Sequence, residues 1–97
     1  MQLPVNVRHE LDVDYEVVNI RKSARDEVVW YSEGDELTIQ FEPESSPFAN
    51  ESFVVPAGGS ASSGPVRQDA VIARYHYSIR SNASLAMTAD PDVDVRR

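Results

Sequence analysis

An all-β chain folded as a two-sheet Greek-key sandwich of seven to eight strands is the class this sequence predicts, and three observations predict it. Apolar and polar residues alternate with period two in short runs. Clusters of Gly, Pro, Asn, Asp and Ser separate those runs, and no stretch keeps a helical period over three turns. The 97 residues make one domain, residues 1–97, with room for a single two-layer core and none for a deep enclosed active site beside it. Strand spacing leaves a small closed barrel as the alternative.

The first run sets Leu11, Val13, Tyr15 and Val17 against Glu10, Asp12, Asp14 and Glu16, which predicts a strand with four carboxylates on one face. After Val17 the pattern slips by one, with Val18 and Ile20 apolar. A slip of that kind marks a bulge or a strand that changes partner between two sheets. Two strands follow, Glu27 to Ser32 and Glu36 to Glu42, joined by Ser32-Glu33-Gly34-Asp35, a link of hairpin length. Pro43 to Asn50 reads as a surface loop carrying one aromatic anchor, Phe48, and Ser52 to Val55 as a short strand ended by Pro56. The Gly- and Ser-rich stretch Ala57 to Pro65 reads as the most flexible part of the domain. From Ala70 to Arg80 the alternation is clean, with Val71, Ala73, Tyr75, Tyr77 and Ile79 on one side and Ile72, Arg74, His76, Ser78 and Arg80 on the other. A last strand over Asp92 to Arg96 places Val93 and Val95 inward.

Composition narrows the function. There is no cysteine, which removes disulfides, thiolate metal sites and cysteine nucleophiles together. The formal charge is −7, and residues 1–50 hold 11 acids against 4 bases while residues 51–97 hold 5 of each. Phosphate binding depends on clustered Lys and Arg, and the balance here is an excess of acid, so no nucleic-acid partner is expected. An acidic surface favours a basic protein partner or a cation. No run approaches the length of a membrane span, and Met1-Gln2-Leu3-Pro4 has neither the basic leader nor the apolar run of a secretory signal. The expectation is a soluble chain without a membrane partner, cytoplasmic as given or exported if a leader has been removed, and a monomer or weak homo-oligomer.

Two segments carry a resemblance. Asp26-Glu27-Val28-Val29-Trp30-Tyr31-Ser32 leads to Leu37-Thr38-Ile39-Gln40-Phe41. Tyr75-x-Tyr77-x-Ile79-x-x-Asn82 leads through Met87 to Val93-Asp94-Val95. In order and spacing these resemble the cupredoxin family, the blue-copper sandwich proteins such as plastocyanin and azurin, over 37 of the 97 residues. Carried over by position, the resemblance implies that the family's first histidine falls on Leu37, its cysteine on Ile79, its second histidine on Asn82 and its methionine on Met87. A blue-copper centre needs a thiolate and two imidazoles, and the long axial thioether adds little affinity alone. The expectation is therefore no copper, no other cofactor and no electron transfer, with Leu37 and Ile79 extending the core.

Other candidate sites are sparse. The two histidines are His9 and His76, and no Gly-x-Ser-x-Gly elbow exists. His76 falls on the polar face of its strand between Arg74 and Arg80, which predicts an exposed ring and no enzyme. Alternate strand residues lie about 6.6 Å apart, so Glu10, Asp12, Asp14 and Glu16 repel one another mildly; the first reading is a solvated outer face that blocks edge-to-edge pairing, and the alternative is a surface for a basic neighbour or a cation. Arg74 and Arg80 are their candidate cross-strand partners if the two strands share a sheet, which alternation alone does not fix. Asp90-Pro91-Asp92-Val93-Asp94 resembles the start of a calcium loop but lacks the glycine and glutamate that an EF-hand requires. A carboxylate-held calcium, on Glu10, Asp12 and Asp14 or on Asp90, Asp92 and Asp94, is the rival to a non-enzymatic interaction or structural module. Asn50-Glu51-Ser52 and Asn82-Ala83-Ser84 match the glycosylation sequon on polar loops. Phe48 is the one loop residue expected either to meet a partner or to plug the sandwich, and plugging is the safer assignment.

Overall fold

The computed structural model describes residues 1–8, 11–83 and 88–97. The fold is all-β and forms two mixed sheets of a sandwich. The first sheet has the order β2-β1-β4-β7, with β1 at Gln2–Arg8, β2 at Asp12–Val13, β4 at Glu27–Ser32 and β7 at Ser60–Ser62. The second runs β3-β10-β8-β5-β6, with β3 at Val17–Arg21, β5 at Leu37–Phe41, β6 at Ser52–Val55, β8 at Arg74–Ser81 and β10 at Asp92–Arg96. The short β9, Thr88–Ala89, also pairs with β8. Two pairs are parallel, β1 with β4 and β3 with β10, and the others are antiparallel.

The period-two runs place one face of each sheet inward. Val5 and Val7 of β1, Val28 and Trp30 of β4, Ile20 of β3, Leu37, Ile39 and Phe41 of β5, Tyr77 and Ile79 of β8, and Val93 and Val95 of β10 meet in one buried cluster. Val93 and Val95 lie inward, as their alternation predicts. Phe48 closes this core from the β5–β6 loop, 2% exposed and edge-on to Phe41 with ring centroids 5.7 Å apart. It is a plug, so its assignment to an interaction surface is corrected: its ring offers nothing to a partner.

Several expectations about elements change. The run 10–17 is not one strand. Leu11 takes a left-handed φ of 58°, β2 lasts two residues, and the chain passes from the first sheet to the second between Val13 and Val17. The predicted change of sheet is therefore present, a few residues earlier than the apolar slip. Ser32 to Asp35 is of hairpin length, yet it links β4 in one sheet to β5 in the other, and Ser32 Oγ ties the turn by donating to Asp35 C=O at 2.7 Å. The Gly- and Ser-rich segment contains β7, and the buried Ser63 Oγ accepts the Val28 N–H at 2.9 Å. The strand expected from Ala70 begins at Arg74, leaving Val71 and Ile72 exposed. Among the described residues ten strands replace seven or eight, because the first run is divided between β2 and β3 and because β7 and β9 follow no apolar run. β1 does alternate, with Leu3, Val5 and Val7 inward, and Pro4, which lacks an N–H, sits on its outward-facing side.

Two aspartates close sheet edges in the same way. Asp14 N–H donates to Asn6 C=O at 3.2 Å, and its carboxylate accepts the Asn6 N–H at 2.9 Å and the Asn6 side-chain amide at 2.8 Å. At the edge of β3, Asp26 N–H donates to Arg21 C=O at 3.1 Å and the Asp26 carboxylate accepts the Arg21 N–H at 2.9 Å. Each aspartate continues the ladder by one residue with its own side chain, and so covers backbone groups that would otherwise template pairing with another chain.

The core holds one polar pair. Trp30 Nε1–H donates to the Tyr77 hydroxyl at 3.1 Å, and desolvation pushes the Tyr77 phenol up from 10.0 to about 12. Between those values the unfolded chain has released the proton that the folded one keeps, so stability falls as pH rises. A loss of roughly 2–3 kcal/mol is expected to be complete above pH 12. Urea unfolding across the alkaline range, paired with phenolate absorbance, checks this. A phenolate that titrates wholly at the unperturbed value would refute the burial argument.

Candidate functional site

The positions that the cupredoxin resemblance points to lie at one end of the second sheet. Ile79 faces Ile39 across the β5–β8 ladder and Leu37 pairs with Ser81 in the same register. Leu37 and Ile79 therefore sit diagonally on the inward face, 2% and 0% exposed, and are core. Asn82 is exposed and fully engaged: its N–H donates to Glu36 C=O at 2.9 Å, its amide donates to the Glu36 carboxylate at 2.8 Å, and its side-chain oxygen accepts the Thr38 hydroxyl at 2.9 Å. These contacts fix the start of β5 against the end of β8. Met87 lies outside the described residues, as do His9 and Glu10.

His76 is exposed on the outer face of β8, as its alternation predicts, and its Nδ1 faces Asp92 Oδ1 on β10. That carboxylate oxygen is sealed from solvent and has no other hydrogen-bond donor among the described residues. A carboxylate orienting an imidazole is two-thirds of a nucleophilic arrangement. Ser78 Oγ, two residues along the same face, donates instead to Gln40 C=O at 3.4 Å. Arg74 lies 3.9 Å from both Asp92 and Asp94, and Arg96 reaches Asp94 at 3.2 Å. The expected pairing of Arg74 and Arg80 with the first acidic run is therefore corrected. β10 pairs with β3 in parallel and with β8 antiparallel, so β10, and not the first acidic run, lies beside β8.

The first acidic run is also dispersed. Asp14 is committed to Asn6, and Asp12 pairs with Arg8 at 3.1 Å. With β2 ended at Val13, Asp12, Asp14 and Glu16 do not lie on one strand. Instead, Asp12 of β2 and Glu16 from the link to β3 line one open groove with Asp90 from the β9–β10 link and Asp92 at the start of β10. Leu11, Val13, Val17, Ala89 and Pro91 supply its apolar walls. Asp90, Asp92 and Asp94 do not converge, since Asp92 and Asp94 turn to Arg74, His76 and Arg96. Among the described residues no group of three or more His, Asp or Glu side chains is arranged to hold a metal ion.

Sequence reading missed the groove because its halves are more than 70 positions apart, and no local pattern joins them. It also missed a counterpart of opposite charge at the other end of β3 and β10, where Arg21 lies in register with Arg96. The doublets Arg21-Lys22 and Arg96-Arg97 were the available signal. No helix among the described residues is long and apolar enough to cross a membrane. No protein-family model matches the chain, and no curated protein matches it.

Proposed function

We propose that this chain is a copper-free, cupredoxin-like Greek-key sandwich that works as a non-enzymatic interaction module, a monomer or weak homo-oligomer whose acidic groove takes a basic segment of a partner protein. The observation that carries the reading is the groove itself, which Asp12, Glu16, Asp90 and Asp92 line together with Leu11, Val13, Val17, Ala89 and Pro91. Such a lining suits the charged head and aliphatic stem of Lys or Arg together. The engagement of Ser78 Oγ with Gln40 C=O supports the non-enzymatic half. Leu37 and Ile79, to which the resemblance assigns the family's first histidine and its cysteine, are buried apolar side chains, which supports the copper-free half.

Calorimetric titration with an oligolysine peptide at low ionic strength tests the groove. Asp12→Asn/Glu16→Gln/Asp90→Asn is expected to weaken binding about three- to a hundredfold, from about 0.2–1 kcal/mol per exposed pair. Unchanged affinity in that variant would overturn the assignment. A saturable rise in melting temperature with calcium, lost in the same variant, would make the groove a cation site instead. The resemblance has its own test in Leu37→His/Ile79→Cys/Asn82→His, which is expected to give an intense thiolate-to-copper band with copper(II). A folded variant that binds copper without that band would remove the resemblance.

A further inference from the structure

We infer that the end of the sandwich remote from the acidic groove is a docking surface for an anionic phospholipid membrane. The inference does not depend on what the groove binds. The second sheet ends there in cations: Arg21 beside Arg96 in the β3–β10 register, then Lys22 and Arg25 in the following turn. Lys22 N–H donates to Arg96 C=O at 2.9 Å, and Arg25 N–H to Lys22 C=O at 3.0 Å, so backbone bonds hold the group together. Arg21 and Arg25 are exposed and form no ion pair among the described residues.

Beside them stand Val71 and Ile72, 70% and 50% exposed. Their segment is tied down on both sides of the pair. Lys22 Nζ donates to Ala70 C=O at 2.7 Å, the Tyr75 hydroxyl donates to Val71 C=O at 2.7 Å, and Val95 N–H donates to Ala73 C=O at 2.9 Å. Two adjacent aliphatic side chains are thus presented to solvent on a fixed backbone that Lys22 of the cationic turn bonds at Ala70. That combination inserts apolar groups among lipid headgroups while the cations meet anionic lipid.

The acids nearby do not cancel it. Asp26 is buried against the β3 edge, Asp94 is held by Arg74 and Arg96, and the exposed Asp69 is matched by Arg67 at 3.5 Å. The acidic groove lies at the far end of β3 and β10, about 13 Å away along five strand residues, beyond the ~8 Å over which charge acts at physiological salt. A single-stranded nucleic acid would call for aromatic stacking platforms. The exposed aromatics Tyr15 and Tyr31 lie outside this end, and Tyr75, which reaches it, is half-buried with its hydroxyl tied to Val71 C=O.

Co-sedimentation of the full chain with vesicles tests the inference, using phosphatidylcholine alone and phosphatidylcholine with about one-third phosphatidylserine. Binding at least fivefold stronger to the anionic vesicles is expected, together with a fall at high salt. Val71→Ser/Ile72→Ser should reduce that binding several-fold and Arg21→Glu/Arg25→Glu should abolish it, both with unchanged melting curves because all four side chains are exposed. Equal partition between the two vesicle types would overturn the inference. So would anionic binding that ignores the Val71/Ile72 change while a DNA oligonucleotide competes for it, since the surface would then be a polyanion site rather than a membrane one.

Discussion

Trp30→Ala is expected to lose about 3–5 kcal/mol of unfolding free energy, the range for emptying a core indole. The side chain is fully buried at the centre of the aromatic cluster, with ring centroids 5.3 Å from Phe53, 5.6 Å from Tyr77 and 6.5 Å from Phe41. Three rings would face the resulting void, and a β-sandwich held by strand ladders on both sides has little freedom to collapse into it. The Tyr77 hydroxyl would also lose its donor, adding to the cost. Domains of this size have a total stability of about 5–15 kcal/mol, so the variant approaches the unfolded state at ambient temperature. Trp30→Phe keeps a ring in the site and should lose less, roughly 1–3 kcal/mol from the missing volume and the unpaired hydroxyl. Urea unfolding followed by circular dichroism is the measurement, because Trp30 is the sole tryptophan and its fluorescence disappears with it. A loss below about 1 kcal/mol for Trp30→Ala would contradict a packed indole at the sandwich centre.

Asp26→Ala is expected to lose about 1–3 kcal/mol and to raise self-association at high concentration. The carboxylate accepts the Arg21 N–H while the Asp26 backbone holds Arg21 C=O. Removing the side chain leaves the backbone half of that clamp and an unpaired strand donor at the edge of β3. Asp26→Asn retains an acceptor oxygen in the same place and should recover part of the stability, which separates the hydrogen bond from the charge. Equilibrium unfolding gives the first quantity and analytical ultracentrifugation the second. Equal stability of the alanine variant and the parent would show that the clamp contributes nothing.

The two carboxylate clamps mark where sequence reading reached its limit. Asp14 looked like one of four alternating acids on a strand, and the alternation is real in the letters. Its carboxylate instead bonds Asn6, and satisfying a strand edge outweighs continuing a two-sided ribbon whose polar face would carry four like charges. The opposite error occurred at residues 57–65. Ser60-Ala61-Ser62 has no apolar signal, yet it is a strand because β4 offers it a ladder. Val71 failed for a related reason: its alternation matches Tyr75, Tyr77 and Ile79, but the ladder to β10 ends at Arg74 and nothing covers the residues before it.

The sequence by itself determined the class and the core. Period two at Leu37, Ile39 and Phe41, at Tyr77 and Ile79, and at Val93 and Val95 required sheets with one buried face, because alternate side chains on a strand point to opposite sides. It also placed Phe48 as a plug and left no cysteine for a blue-copper centre. Which strands are neighbours, and therefore which charges meet, only the tertiary structure decided. The parallel pairing of β3 with β10 joins segments more than 70 residues apart, gathering Asp12 and Glu16 with Asp90 and Asp92 at one end and Arg21 with Arg96 at the other. Local alternation records what faces the core, and it carries no information about which distant strand completes the hydrogen-bond ladder. Both charged ends of this protein are products of that ladder.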